Sequence, residues 1–252
     1  MLSLRQHKIS RLEEFSDAVF GFALTLLVVS SVVPRSYAEL LAVVHGIPSF
    51  AFCFALIVWI WHEHDRFFGR YPIQDGIAVL LNSALLFVVL LYVYALKFMF
   101  DAFMFQVFGL EGMSPVKPMT LPELPGAFAL YGLGFFILML LFAALYLHAN
   151  RRRAALGLSA HDAFDARALA GHHLVSSGIG LILAAFAWFG PADVVFLAPM
   201  AFVLMGPGHW AFGRAAAKRR KSVIATASVA SAPSVASAPS ASVKSVSSVK
   251  SV

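Results

Sequence analysis

Long apolar runs alternate with short polar segments along the chain. Six of these runs approach or exceed the roughly 20 apolar residues that a membrane-spanning helix needs. They cover, in round boundaries, residues 15–34, 47–63, 75–100, 125–148, 168–189 and 191–212. None of them alternates polar and apolar positions as a membrane β-strand does. The pattern therefore predicts an all-α membrane protein with six transmembrane helices.

Composition and charge support this prediction and orient it. Of the 252 residues, 60% are apolar and only 13% are charged. With both termini on the cytoplasmic side, all but three of the 19 basic residues fall in cytoplasmic segments, the exceptions being Arg35, Lys97 and Lys117. Short loops rich in Lys and Arg stay in the cytoplasm. We therefore expect a multi-pass protein of the plasma membrane, with cytoplasmic N and C termini.

The pattern divides the chain into two parts. Residues 1–212 hold the six predicted spans, and residues 213–252 form a basic segment followed by a Ser/Ala/Val/Pro tract of low complexity. Such a tract cannot bury a core, so a disordered cytoplasmic tail is predicted there. Residues 151–166, between the fourth and fifth spans, fit either a short interfacial helix or a solvated loop.

Enzyme, cofactor and nucleic-acid chemistry find little support. The sequence contains no nucleophile, phosphate-binding or dinucleotide-binding motif. Although residues 62–65 read His-Glu-His-Asp, a two-residue spacing does not put both imidazoles on one helical face, so we expect no metal site. The single cysteine, Cys53, allows no internal disulfide and is expected to pack in the core. The basic residues lack the aromatic partners typical of a nucleic-acid surface, and the expected non-protein contacts are membrane lipids.

An aspartate lies inside the first apolar run. An ionisable group in a span is costly and usually faces protein or a water-filled cavity, so Asp17 is a candidate functional residue. Its expected partners are Ser16, Arg11, and a polar side chain from another span such as His62 or Asn82. Alternatively, Asp17 is a residue of the first helical turn that the helix dipole favours.

This first run also carries a family resemblance. Arg11, Phe15, Ser16 and Asp17, followed by AVFGFALTLLVV, resemble the first-helix signature of the transmembrane protein 175 family of potassium channels. The pairs Ser49-Phe50 and Trp61-His62 resemble the second helix of that family, and Asn82 resembles an asparagine of its third helix. The resemblance covers residues 1–212, is strongest in the first span and excludes the tail.

The resemblance implies a potassium-permeable cation channel without a cofactor, potassium being the permeant ion. It implies a homotetramer whose first helices line the pore. By matching positions, the apolar constriction falls on Phe22, Leu26 and Val29, and Thr25 lies near the filter. Two departures from the family pattern are notable. Phe22 is bulkier than the usual isoleucine or leucine, and Ser30 replaces an acidic residue found in many relatives.

Helical geometry is compatible with this assignment. At 100° per residue, Leu26 and Val29 lie within about 40° of Phe22, and Phe15 shares their stripe. Ser16 and Asp17 lie roughly 120–140° away, so they are predicted to turn toward neighbouring helices and brace the pore helix.

Two further interpretations remain open. An apolar stripe at helical spacing also suits lipid contact or packing. A secondary transporter of a small solute or ion is the alternative function, because Pro199 and the Gly206-Pro207-Gly208 segment would break the sixth span. A membrane enzyme or a non-transporting scaffold ranks third.

Overall fold

The computed structural model contains helices and no strand in the residues that it describes. Those residues are 11–29, 33–109, 120, 122–191 and 193–230, without the side chains of 105–107, 196 and 218–230. Seven α-helices and one 3-10 helix follow in this order: α1 (Arg11–Val29), α2 (Tyr37–His45), α3 (Ile47–Arg70), α4 (Gly76–Phe108), α5 (Leu124–Arg151), α6 (Ala160–Phe189), the 3-10 helix (Val195–Leu204) and α7 (Met205–Ala230).

Local sequence signals explain several of these boundaries. The Ser36 hydroxyl accepts a hydrogen bond from the Glu39 backbone N–H and starts α2, and Ser159 caps α6 by accepting from the Asp162 N–H in the same way. Proline occupies the first turn of α3 and of α5, where its missing N–H costs nothing. Asp75 precedes α4 and accepts from the Ala78 backbone N–H at 2.9 Å.

Four helices within the described residues are long and apolar enough to cross a membrane. They are α3, residues 76–104 of α4, α5 and α6, and they correspond to the second to fifth predicted spans. All four helices extend beyond the predicted spans. Helix α3 continues to Arg70 and α4 to Phe108. Helix α6 begins at Ala160, so the end of the segment predicted as an interfacial helix or loop belongs to α6.

The first and sixth predicted spans look different. Helix α1 has 19 residues and carries four charged side chains near its start, which is too much charge for a span by composition alone. The segment 191–212 is divided between the 3-10 helix, which contains Pro199, and the beginning of α7. Proline lacks the N–H that a continuous α-helix would use, which accounts for the change of helix type. The six-span count therefore stays a prediction.

The chain divides into two units, Met1–Ala216 and Ala217–Val252. The core of the first unit is built from the inward faces of α1, α3, α4, α5 and α6, and a smaller apolar cluster joins α6 to the 3-10 helix. Cys53 lies fully buried in this core, as its predicted packing role requires. In the second unit, α7 is helical to Ala230, which is beyond the start of the predicted tract of low complexity. Residues 231–252 lie outside the described residues, and the disordered tail stays a prediction there.

Helices α5 and α6 approach each other closely in this core. A Cβ atom placed on Gly180 would lie 2.9 Å from the Phe136 backbone nitrogen and 3.0 Å from the Gly132 carbonyl oxygen. The Ser177 hydroxyl donates to the Phe136 carbonyl at 3.0 Å across the same contact. Small residues permit this distance, as is usual where membrane helices pack tightly.

Polar contacts hold the helix ends together at both ends of the bundle. At the predicted cytoplasmic end, Arg70 pairs with Asp162 and Asp165 at 3.1 and 2.6 Å, and His148 lies 2.8 Å from Asp75. The hydrogen bond from the Ala78 N–H is the main reason why the pKa of Asp75 lies below its usual range. The hydrogen bond between Asp75 and His148 lowers this pKa further.

A buried ion pair lies about 33 Å from Asp75 along the axis of α4, at the predicted external end. The Lys97 ammonium contacts the Asp101 carboxylate at 2.7 Å, and the Ser49 hydroxyl donates to the same carboxylate at 2.5 Å. All three side chains are buried, and the contact joins α3 to α4.

Candidate functional site

Helix α1 has two faces of different character. Ser16, Phe20, Ala23 and Leu27 are buried against the rest of the chain. The opposite face carries Phe15, Phe22 and Val29, which are 57%, 56% and 70% exposed. The apolar stripe of the sequence analysis therefore points away from the subunit's own core, except that Leu26 is partly buried.

A chain of hydrogen bonds fixes the buried face of α1. The Asn82 side-chain nitrogen donates to the Ser16 hydroxyl at 2.9 Å, and the Ser16 hydroxyl donates to the Leu12 carbonyl at 2.7 Å. His64 Nε2 lies 2.7 Å from the Asn82 carbonyl oxygen. Because this oxygen can only accept, His64 Nε2 must carry the proton. The donors and acceptors then match along the whole chain, and one side chain from each of α1, α3 and α4 takes part.

Aromatic packing surrounds this hydrogen-bond chain. The His64 ring meets the Phe20 ring edge-on at a centroid distance of 5.4 Å and lies 4.6 Å from the Phe68 ring. Ser16, His64 and Asn82 are all at most 1% exposed. Buried polar groups that are fully satisfied in this way impose one arrangement of the helices that carry them. The network therefore sets the position of α1 against α3 and α4.

Asp17 makes a second connection between α1 and α3. Its carboxylate accepts a hydrogen bond from the Trp61 indole nitrogen at 2.8 Å. The side chain lies on the exposed side of α1, beside a cavity of about 400 Å³ between the two helices. Gly21, Leu24 and Ile57 also line that cavity.

The structure brings together only part of the residue set that the sequence suggested. Asn82 was expected as a partner of Asp17, but its side chain contacts Ser16 instead. His62 is exposed, and its neighbours Trp61 and His64 supply the contacts from α3. Arg11 is exposed at the first residue of α1.

The hydroxyl near the predicted filter is engaged within its own helix. The Thr25 hydroxyl donates to the Gly21 carbonyl at 3.0 Å on the exposed side of α1. Ser30, which follows the last residue of the helix, lies outside the described residues.

A pattern in α3 could have identified His64. Its buried positions Cys53, Ile57, Ile60, His64 and Phe67 follow one another at spacings of four and three residues. His64 continues this apolar stripe, whereas His62 falls outside it, since residues two apart point to different sides of a helix.

Comparison with known proteins places these features in a family. Residues 11–92, which include α1 and every residue of the network, match the family described as the endosomal/lysosomal potassium channel TMEM175. A curated protein of Marivirga tractuosa, named "Potassium channel", is 33% identical over 231 residues, covering 88% of this chain and 93% of that protein. The chain belongs to the TMEM175 family.

Solved structures of TMEM175 proteins agree with this assignment. A crystal structure of a variant of the potassium channel MtTMEM175 aligns with a TM-score of 0.75 and 33% identity, over 85% of this chain and 96% of that one. A TMEM175 homologue from Chamaesiphon minutus, described as a lysosomal potassium-selective channel homologue, aligns with a TM-score of 0.53 and 22% identity, over 80% of this chain and 96% of that one. The second likeness concerns the fold alone. This TMEM175-family chain is thus a multi-pass, all-helical membrane protein.

Proposed function

We propose that the chain forms a potassium-permeable channel of the plasma membrane, with potassium as the permeant ion and no cofactor. The observation that carries the proposal is its 33% identity to a potassium channel over nearly the full length of both proteins. The relatives are ion channels rather than enzymes. The same likeness favours a channel over the secondary transporter suggested by the broken sixth span.

The proposed pore is lined by the exposed side of α1, and its constriction is formed by Phe22, Leu26 and Val29. Two properties of that side support the proposal. It carries large apolar side chains in one stripe, and a ring of such side chains can close a pore by dewetting. It also carries Thr25, whose hydroxyl is poorly suited to lipid contact because polar groups in a membrane face protein or water.

An oligomer is part of the proposal, because one α1 cannot enclose a pore. Homotetramers of six-span subunits are the arrangement that we propose, with the first helices around a common axis. The exposed residue Gly21 and the neighbouring cavity between α1 and α3 leave room for a helix of an adjacent subunit to approach. The network of Ser16, Asn82 and His64 would then hold α1 from behind, on the side away from the axis.

The experiment is a comparison of potassium and sodium flux in proteoliposomes. Wild-type protein should pass potassium in preference to sodium. Phe22→Ala should raise the flux several-fold because it widens the constriction, and Leu26→Ala should raise it less. Phe87→Ala is the matched control, since Phe87 has a similar exposure of 62% but lies on α4, away from the proposed pore.

Two outcomes would contradict the proposal. An equal rise for Phe22→Ala and Phe87→Ala would indicate a general leak rather than a constriction. Absence of flux from wild type and both variants, although all three are folded and reconstituted, would leave the family likeness as a likeness of fold and favour transport or a scaffold role.

A further inference from the structure

A second cavity lies where the end of α3 meets α6 and α7. Its volume is about 450 Å³. Six polar side chains line it: Glu63, Arg66, Arg70, Asp165, His172 and His209. Arg66 and Arg70 are among the basic residues that the sequence analysis assigns to the cytoplasmic side. The cavity therefore lies at the predicted cytoplasmic boundary of the membrane.

The charges around this cavity balance. Asp165 is held by Arg70 at 2.6 Å, and Glu63 lies 3.5 Å from Arg66. A simple anion entering the cavity would meet both carboxylates, and a simple cation would meet both guanidinium groups. A ligand that carries one charge of each sign, a short distance apart, can satisfy both sets.

Of the two arginines that line the cavity, Arg66 has more N–H groups left to bind a ligand. Half of its side chain is exposed, and its contact with Glu63 is long for a charged hydrogen bond. A guanidinium group has five N–H donors in a planar fork, which suits the oxygens of a phosphate group. Arg70, in contrast, already contacts two carboxylates.

The remaining walls of the cavity are apolar or aromatic. Leu169 and Phe212 line it, and the Phe212 ring sits directly against Gly171 of α6. The rings of His172 and His209 stack at a centroid distance of 3.7 Å on the same side. Next to His209 in the sequence, the Trp210 ring lies under the Arg214 guanidinium group, 4.6 Å from its central carbon. Tryptophan and arginine are typical of the headgroup level of a membrane.

We propose that this cavity binds the phosphoethanolamine headgroup of a membrane phospholipid, with Arg66 on the phosphate and the carboxylates of Glu63 and Asp165 facing the ammonium group. The acyl chains leave past Leu169 and Phe212 into the bilayer. Phosphatidylcholine is the wrong ligand, because its methylated ammonium has no N–H to donate to a carboxylate. This site is independent of ion conduction.

The test measures the thermal unfolding midpoint of the full-length chain in nanodiscs. Discs of phosphatidylcholine alone are compared with discs in which part of the lipid is replaced by phosphatidylethanolamine or by phosphatidylglycerol. We expect phosphatidylethanolamine to raise the wild-type midpoint by several degrees over both other lipids. Native mass spectrometry should show the same lipid retained by the protein.

Variants separate the site from general effects of the bilayer. Arg66→Gln should lose the shift and the retained lipid. Ala216→Trp, which fills the cavity without changing charge, should lose them too. Arg153→Gln, which removes an exposed arginine from the same membrane face, should keep both.

Three results would overturn the proposal. Equal shifts with phosphatidylethanolamine and phosphatidylglycerol would point to a plain phosphate or anion site. A shift that persists in both Arg66→Gln and Ala216→Trp would show that the lipid acts through the bilayer. Stabilisation by soluble O-phosphoethanolamine, without any effect of the lipid, would retain the headgroup chemistry but reject the membrane as its source.

Discussion

Asn82 is the residue on which the contacts of three helices depend. Its amide donates to α1 and accepts from α3 while its own backbone belongs to α4. No other side chain of that size offers a donor and an acceptor in the same plane. Its removal would leave the His64 N–H buried without its acceptor and the Ser16 hydroxyl oxygen without its donor, although the Ser16 hydroxyl would still donate to the Leu12 carbonyl.

We predict that Asn82→Leu lowers the free energy of unfolding by about 1–3 kcal/mol, the cost of leaving buried polar groups unsatisfied. Thermal unfolding in detergent measures this loss. Ser83→Ala is the control, because Ser83 is the exposed neighbour on the same helix and should change stability by less than about 0.5 kcal/mol. Similar losses in the two variants would mean that α4 is sensitive to substitution in general and that the network has no special role.

For Asp17 we predict an effect on assembly that depends on one hydrogen bond, the one that it accepts from the Trp61 indole N–H. Asp17→Ala should reduce the yield of assembled protein, whereas Asp17→Asn, which keeps an acceptor oxygen, should largely preserve it. Trp61→Phe removes the donor and should behave like Asp17→Ala. Gel filtration of the purified protein reports assembly. If Asp17→Asn failed as completely as Asp17→Ala, the negative charge rather than the hydrogen bond would be the essential feature.

At these residues, the sequence predicts some of the contacts and leaves others open. Ser16 and Asn82 could be predicted, because a polar side chain within an apolar helix must find a partner on another helix. The choice of His64 over His62 depends on which face of α3 is buried, and the stripe that ends in Phe67 records this face in the sequence. The contact of Trp61 with Asp17 could not be foreseen, since it depends on how close α1 and α3 approach each other, which no spacing within either helix determines.

At the scale of elements, the contact of α5 with α6 leaves no room for a larger residue at Gly180. Two of the three atoms closest to a Cβ at Gly180 are backbone atoms of α5, which cannot move aside as a flexible side chain can. Overpacking of this kind costs about 1–3 kcal/mol. Gly178, only two residues away, has open space around its Cα.

We therefore predict opposite effects on stability when each of the two glycines is replaced by alanine. Gly180→Ala should lower the midpoint of thermal unfolding, because its methyl group would separate the two helices. Gly178→Ala should leave the midpoint unchanged or raise it slightly, since alanine favours a helix over glycine by roughly 0.5–1 kcal/mol. The same measurement on both variants decides the point, and a loss of stability in Gly178→Ala equal to that in Gly180→Ala would refute the close approach.

Element boundaries followed from the sequence where one signal dominated. The apolar runs of α3, α4, α5 and α6 were long enough to be recognised by length alone. The 3-10 helix was not, because hydropathy does not distinguish it from an α-helix and Pro199 indicates only that regular hydrogen bonding is interrupted. The short helix α2 was also missed, although Ser36 and Glu39 carry its capping signal.

For the molecule as a whole, the distribution of basic residues predicts which helix ends face the cytoplasm. The single cysteine makes this testable, because Cys53 is fully buried and should not react. We predict that Arg35→Cys reacts with a membrane-impermeant maleimide in intact cells, and that Arg153→Cys reacts only after permeabilisation. Wild type should stay unlabelled in both conditions. Reaction of both introduced cysteines in intact cells would exclude a topology in which these two positions lie on opposite sides.

The ion pair within α4 has a consequence for the whole chain in an energised membrane. A lone lysine that crosses the bilayer experiences about 2.3 kcal/mol for every 100 mV of membrane potential. Lys97 and Asp101 lie one helical turn apart and carry opposite charges, so the electrical forces on them cancel. Helix α4 thus behaves as an electrically neutral rod, and a change in membrane voltage exerts no net pull on it.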